Sequence, residues 1–155
     1  MYNVAIIGAG PAGIFSALEI VKLKPDWKVV LIEKGERIED RKCLLREGYA
    51  KCPSCKKCGL LCGWGGAGAF SDGKLTLTPD VGGNLVDYMS RKDVEELIDY
   101  ADNLYLKFGA TKEVFGTDPK IFHEIERKAA LAELKLVHSP VRHLGTERSL
   151  DVLKN

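Results

Sequence analysis

Three glycines, Gly8, Gly10 and Gly13, stand at G-x-G-x-x-G spacing directly after the apolar run Val4 to Ile7. This spacing demands a strand, a sharp turn, and a helix whose first turn lies close to the strand. Gly8 permits the tight turn, Gly10 leaves no side chain between the backbone and an approaching phosphate, and Gly13 lets helix and strand touch. Pro11 suits the first helical turn, where its missing N–H costs nothing. Ile14, Ala17, Leu18 and Val21 then recur at helical spacing to about Lys22, before a turn at Pro25 and Asp26. Lys28 to Glu33 reads as a second strand. Its continuous apolar run, Val29 to Ile32, predicts a parallel strand covered on both faces.

The chemistry this pattern suits is phosphate binding. A helix N-terminus presents free N–H groups and a positive dipole end, so Gly8, Ala9, Gly10, Pro11, Ala12 and Gly13 form the candidate phosphate turn. Glu33 follows Gly13 by about twenty residues, the distance at which a carboxylate accepts hydrogen bonds from ribose hydroxyls. Lys34 adjoins it. A glycine turn in an unrelated α/β protein is the competing reading. The strand before, the helix after and the acid at its distance weigh against it. Glu33 would repel the 2′-phosphate of NADP, but it does not separate NAD from FAD. The expected fold class is α/β, a Rossmann-type FAD/NAD(P)-binding domain.

Cys52, Cys55, Cys58 and Cys62 have C-x2-C-x2-C-x3-C spacing, the ferredoxin-type run, with Gly63 where proline usually follows. Four thiols within eleven residues suit an iron–sulfur cluster such as [4Fe-4S], a tetrahedral zinc site, or redox-active thiols beside a flavin. Cys43 stands apart as an ordinary helix residue, in a short helix expected near Glu36 to Gly48. Arg41, Lys42, Arg46, Lys51, Lys56 and Lys57 alternate with Glu39, Asp40 and Glu47, the pattern of a solvated face.

Residues 63 to 74 read Gly-Trp-Gly-Gly-Ala-Gly-Ala-Phe-Ser-Asp-Gly-Lys. Glycines here permit close backbone approach to a flat or charged ligand. A short strand is expected at Lys74 to Thr78. Ser90 with Asp93 has capping-box spacing and opens a helix carrying Val94, Leu97, Ile98, Ala101, Leu104, Tyr105 and Phe108, closed by Gly109. Asp118 and Pro119 open another, with Ile121, Phe122, Ile125, Ala129 and Ala132 on its face. Leu136 to Val141 reads as a strand, and Thr146 or Ser149 starts a last helix. The organisation is a βαβ nucleotide unit over 1–35, a Cys/Gly-rich insertion over 36–83 and a mainly helical part over 84–155.

The run Gly-Ala-Gly-Pro-Ala-Gly at 8–13 resembles that of many flavoproteins of the glutathione-reductase-like fold group. Cys62 to Leu77 with Pro79 to Leu85, and Arg142 to Arg148, resemble a poorly characterised family of bacterial and archaeal FAD-dependent dehydrogenases. That resemblance implies FAD as cofactor and an oxidoreductase acting on a small-molecule substrate or electron carrier. It implies Gly65, Gly66, Gly68 and Ser71 near the FAD pyrophosphate or flavin. Lys74 can approach the flavin or serve as a turn lysine, and Arg142 and His143 can face a substrate. Family members are longer, and two parallel strands do not close a dinucleotide-binding sheet. An incomplete domain, marginal alone and prone to self-association through an open sheet edge, is therefore expected.

Charge and hydropathy exclude other classes. With 23 Lys/Arg and 22 Asp/Glu the formal net charge is +1, which gives no global field for nucleic acid or an anionic membrane. No apolar run approaches the ~20 residues that span a bilayer. The N-terminus lacks the basic region and cleavage site of a signal peptide, so a cytoplasmic location is expected.

Overall fold

The computed structural model describes residues 1–155. The chain is mixed α/β, with four α-helices and two small sheets. It divides into two compact units, Met1–Ser71 and Asp72–Leu153.

In the first unit, strand β1 (Val4–Ile7) runs into helix α1 (Pro11–Leu23) and on to strand β2 (Val29–Ile32). The strands pair in parallel, Val4 opposite Val29 and Ile7 opposite Ile32. Gly8 continues the ladder by donating to the Ile32 carbonyl (2.7 Å), then turns the chain at φ 98°. Gly13 fulfils the packing demand: a Cβ there would lie 2.0 Å from the Gly8 carbonyl oxygen. Only one helix accompanies this sheet, so the expectation of strands covered on both faces is corrected. Ile7 is 79% and Ile32 50% exposed, and Val21 of α1 is exposed too.

The stretch after β2 has no regular helix. The helix expected near Glu36 to Gly48 is replaced by two separate turns, Arg37–Arg41 and Cys43–Gly48. Ile38 and Arg41, both in the first turn, are buried. One 3-10 turn, Ala67–Phe70, follows the cysteines.

In the second unit, strand β3 (Lys74–Thr76) precedes a 3-10 turn at Leu85–Asp87 and helix α2 (Arg91–Lys107). Helix α3 (Pro119–Leu131), strand β4 (Val141–His143) and helix α4 (Thr146–Lys154) complete it. Both long helices start where their caps predict: the Ser90 side chain accepts from the Asp93 N–H, and that of Asp118 accepts from Lys120 and Ile121. Strand β4 begins where the expected strand ends, because Pro140 has no N–H and can offer only its carbonyl, which accepts from Leu77. It pairs antiparallel with β3, Leu75 opposite Arg142. Val94 is the buried anchor of α2, whereas Leu97 and, on α3, Ile121 and Ile125 are exposed members of the expected stripes.

Candidate functional site

The candidate site forms at the C-terminal ends of β1 and β2, around the N-terminus of α1. No side chain caps α1. Gly10 occupies its N-cap position, Pro11 follows, and a Cβ on Gly10 would meet nothing within 4 Å. The helix end is therefore open above Gly10, with backbone N–H groups of its first turn and the positive end of the dipole directed there. Ala9 beneath is fully buried.

Glu33 sits half-buried just past β2. Its Oε2 accepts from the Ala9 N–H at 2.7 Å, and its Oε1 from Gly35 at 2.9 Å and Gly63 at 3.0 Å. Those backbone donors, Ala9 first, hold its carboxyl below the ordinary glutamate range against the opposing cost of burial. The residue assigned to ribose thus has a structural task as well. It ties the Gly8–Gly13 turn to the end of β2 and to the glycine-rich segment. Lys34 is exposed beside it.

Part of the glycine-rich segment reaches the turn. The Gly65 N–H donates to the Ala9 carbonyl at 2.8 Å. Gly66, at φ 63°, passes so close that a Cβ would lie 3.2 Å from Gly10 Cα. Gly65 and Gly66 therefore join Gly8–Gly13. Gly68 and Ser71 lie on and just after the following 3-10 turn, and Ser71 is exposed. Lys74 belongs to the second unit, where its ammonium pairs with Asp72 at 2.7 Å.

Arg41 is the residue that local sequence reading misplaces. It is 6% exposed, not part of a solvated face. Its Nε donates to Gly59 O (3.0 Å), Nη2 to Leu60 O (2.8 Å), and Nη1 to Trp64 O (2.6 Å) and Gly66 O (2.8 Å). The Phe70 ring centroid lies 4.7 Å from its guanidinium carbon. Burial lowers its pKa, while the negative charge of Glu33 opposes that shift. Its acceptors come 18 to 25 residues later in the chain, so no short-range pattern announces it.

No known family profile matches the chain. No solved structure matches it either. One relative, an uncharacterized protein of Clostridium beijerinckii, is 32% identical over 113 residues, covering 73% of this chain and 20% of the relative. The chain thus spans about a fifth of the length of that relative.

The cysteines are not assembled as metal ligands. All five are free thiols, and Cys52 and Cys55 are exposed while Cys58 and Cys62 are half-buried. No three Cys, His, Asp or Glu side chains are grouped to hold a metal ion. Cys58 and Cys62 share one turn, with the Cys62 N–H donating to the Cys58 carbonyl at 2.8 Å, and the other two lie outside it. In this arrangement the four thiols are not gathered around one centre.

In the second unit, Arg142 is engaged within the fold. It is 4% exposed and forms a two-pronged pair with Asp102 of α2 through Nε and Nη2, while Nη1 donates to Thr111 O. His143 is exposed, edge-on to Phe115. An open cleft of about 450 Å³ lies between Thr117, Pro119, Phe122, His123, Glu126 and His138. The His138 ring is held there by Gly116 O at 2.9 Å. No helix is long and apolar enough to cross a membrane.

Proposed function

We propose that this chain is the dinucleotide-binding part of an FAD-dependent oxidoreductase, in a Rossmann-type arrangement. The observation that carries the reading is the uncapped N-terminus of α1 under open space at Gly10. An anionic pyrophosphate is the ligand such an opening suits, because it satisfies orphan N–H groups and gains from the dipole. Glu33 stands beside it, just past the end of β2, where its carboxylate would meet a ribose hydroxyl. The preference for FAD over NAD rests on the resemblance of 62–77 to flavin-dependent dehydrogenases. A bound flavin would supply the hydride chemistry. The residues of this chain would bind and orient it: Gly8–Gly13 at the pyrophosphate, Gly65 and Gly66 as the adjoining wall. The substrate and electron acceptor belong to the whole protein.

Titration of the chain with FAD, followed by flavin absorbance after gel filtration, tests this. Retention of FAD is expected, and Gly10→Val is expected to abolish it by filling the open space. Retention of NAD in place of FAD would move the assignment to a nicotinamide dehydrogenase. Full FAD retention by Gly10→Val would remove the turn from the binding site.

A further inference from the structure

We infer that Arg41 is the positioning residue of the nucleotide site: it holds the Trp64–Gly66 segment over the Gly8–Gly13 turn. The inference rests on the nucleotide reading above and adds a residue to it. Four carbonyl oxygens, those of Gly59, Leu60, Trp64 and Gly66, converge on one guanidinium. Without that charge, their negative ends would crowd together unneutralised in a buried place, which loop backbone avoids. The last of the four belongs to Gly66, where an added Cβ would lie 3.2 Å from Gly10 Cα and 3.6 Å from Pro11 Cδ. Two short contacts therefore separate the guanidinium from the point where a phosphate would approach.

The geometry selects arginine. A planar fork of five donors can serve four acceptors from one position, and a lysine ammonium has three donors at a point. The segment's other ties include Gly65 N to Ala9 O, Trp64 N to Glu36 O, Gly66 N to Gly63 O and Gly63 N to Glu33. Gly63 itself is shaped to Arg41, since a Cβ there would lie 2.6 Å from Arg41 Cδ. A buried positive charge held this near the helix end also adds to the field that favours an anion. Arg41 makes no contact with the open space above Gly10, so its effect on a ligand passes through the segment it holds.

The test uses the 155-residue chain with ADP, which carries the ribose and pyrophosphate common to FAD and NAD. Binding is read from Trp64 fluorescence in a Trp27→Phe background. Arg41→Lys is expected to weaken ADP tenfold or more. In Arg41→Ala, millimolar ethylguanidinium is expected to restore a measurable part of the affinity and to leave the unsubstituted chain unchanged. If the unsubstituted chain does not bind ADP, the nucleotide reading falls and this inference with it. If it binds and Arg41→Lys binds equally well, the inference alone is overturned. Loss in Arg41→Ala without rescue by ethylguanidinium would also overturn it, leaving Arg41 a fold support only. Should the Arg41 variants not fold, Gly66→Ala decides. It keeps Arg41 but pushes the segment from Gly10, so a tenfold loss is expected and unchanged affinity overturns the inference.

Discussion

Glu33 and Arg41 perform opposite halves of one task. The carboxylate collects backbone N–H groups from three places, and the guanidinium collects backbone carbonyls from two. The irregular stretch between them is held by these side chains where no sheet or helix ladder exists. Glu33 makes stability depend on acid. Its folded pKa lies below the ordinary value of 4.5, so its contribution is complete above about pH 4.5 and is lost as pH falls through the lower folded value. Glu33→Gln should destabilise the first unit by about 1–3 kcal/mol at neutral pH and flatten the acid limb of its unfolding curve. Denaturant titrations at several pH values measure both; an unchanged acid limb would assign that limb to other carboxylates. The place of Glu33 just past β2 was legible, because its distance from Gly13 is set by the length of one helix and one strand. Arg41 was not, because the value of burying a charge depends on acceptors that assemble only in the fold.

At the scale of elements, the second unit relies on an ion pair between β4 and α2. Arg142 and Asp102 are both mostly buried and joined by two hydrogen bonds. Asp102→Ala would leave the buried Arg142 guanidinium without its carboxylate, at a cost of about 3–5 kcal/mol. Thermal unfolding followed by near-UV circular dichroism should detect this, and a loss near zero would show that water reaches the site. Helix starts were readable because a cap is a local event: Ser90 and Asp118 bind N–H groups two or three residues away. Strand β4 was displaced toward Arg142 because pairing with β3 fixes its register, and pairing is not local. The apolar periodicity of α2 and α3 identified the helices but not which apolar residues are covered.

For the molecule as a whole, two units divide the chain where glycine-rich segment meets strand, at Ser71 and Asp72. The glycine spacing at the start of the chain was legible as a turn, and the cysteine spacing as a density of thiols. Whether four sulfurs converge depends on a loop with little local periodicity, and here they do not. The division also apportions charge. Residues 1–71 hold eleven Lys/Arg and seven Asp/Glu, a net +4, whereas residues 72–155 hold twelve and fifteen, a net −3. A nearly neutral chain is thus strongly dipolar along its sequence, with the cationic share on the unit that carries the Gly8–Gly13 turn. An anionic nucleotide should be drawn to that unit before any contact forms. Stopped-flow measurements should find ADP association slowing severalfold from about 0.02 to 0.5 M salt, as the Debye length shrinks, while dissociation barely changes. A salt-independent association rate would mean that the +4 is spread too evenly over that unit to steer. Where the backbone divides, the chain changes sign, and its encounter rate with phosphate becomes a property that ionic strength can tune.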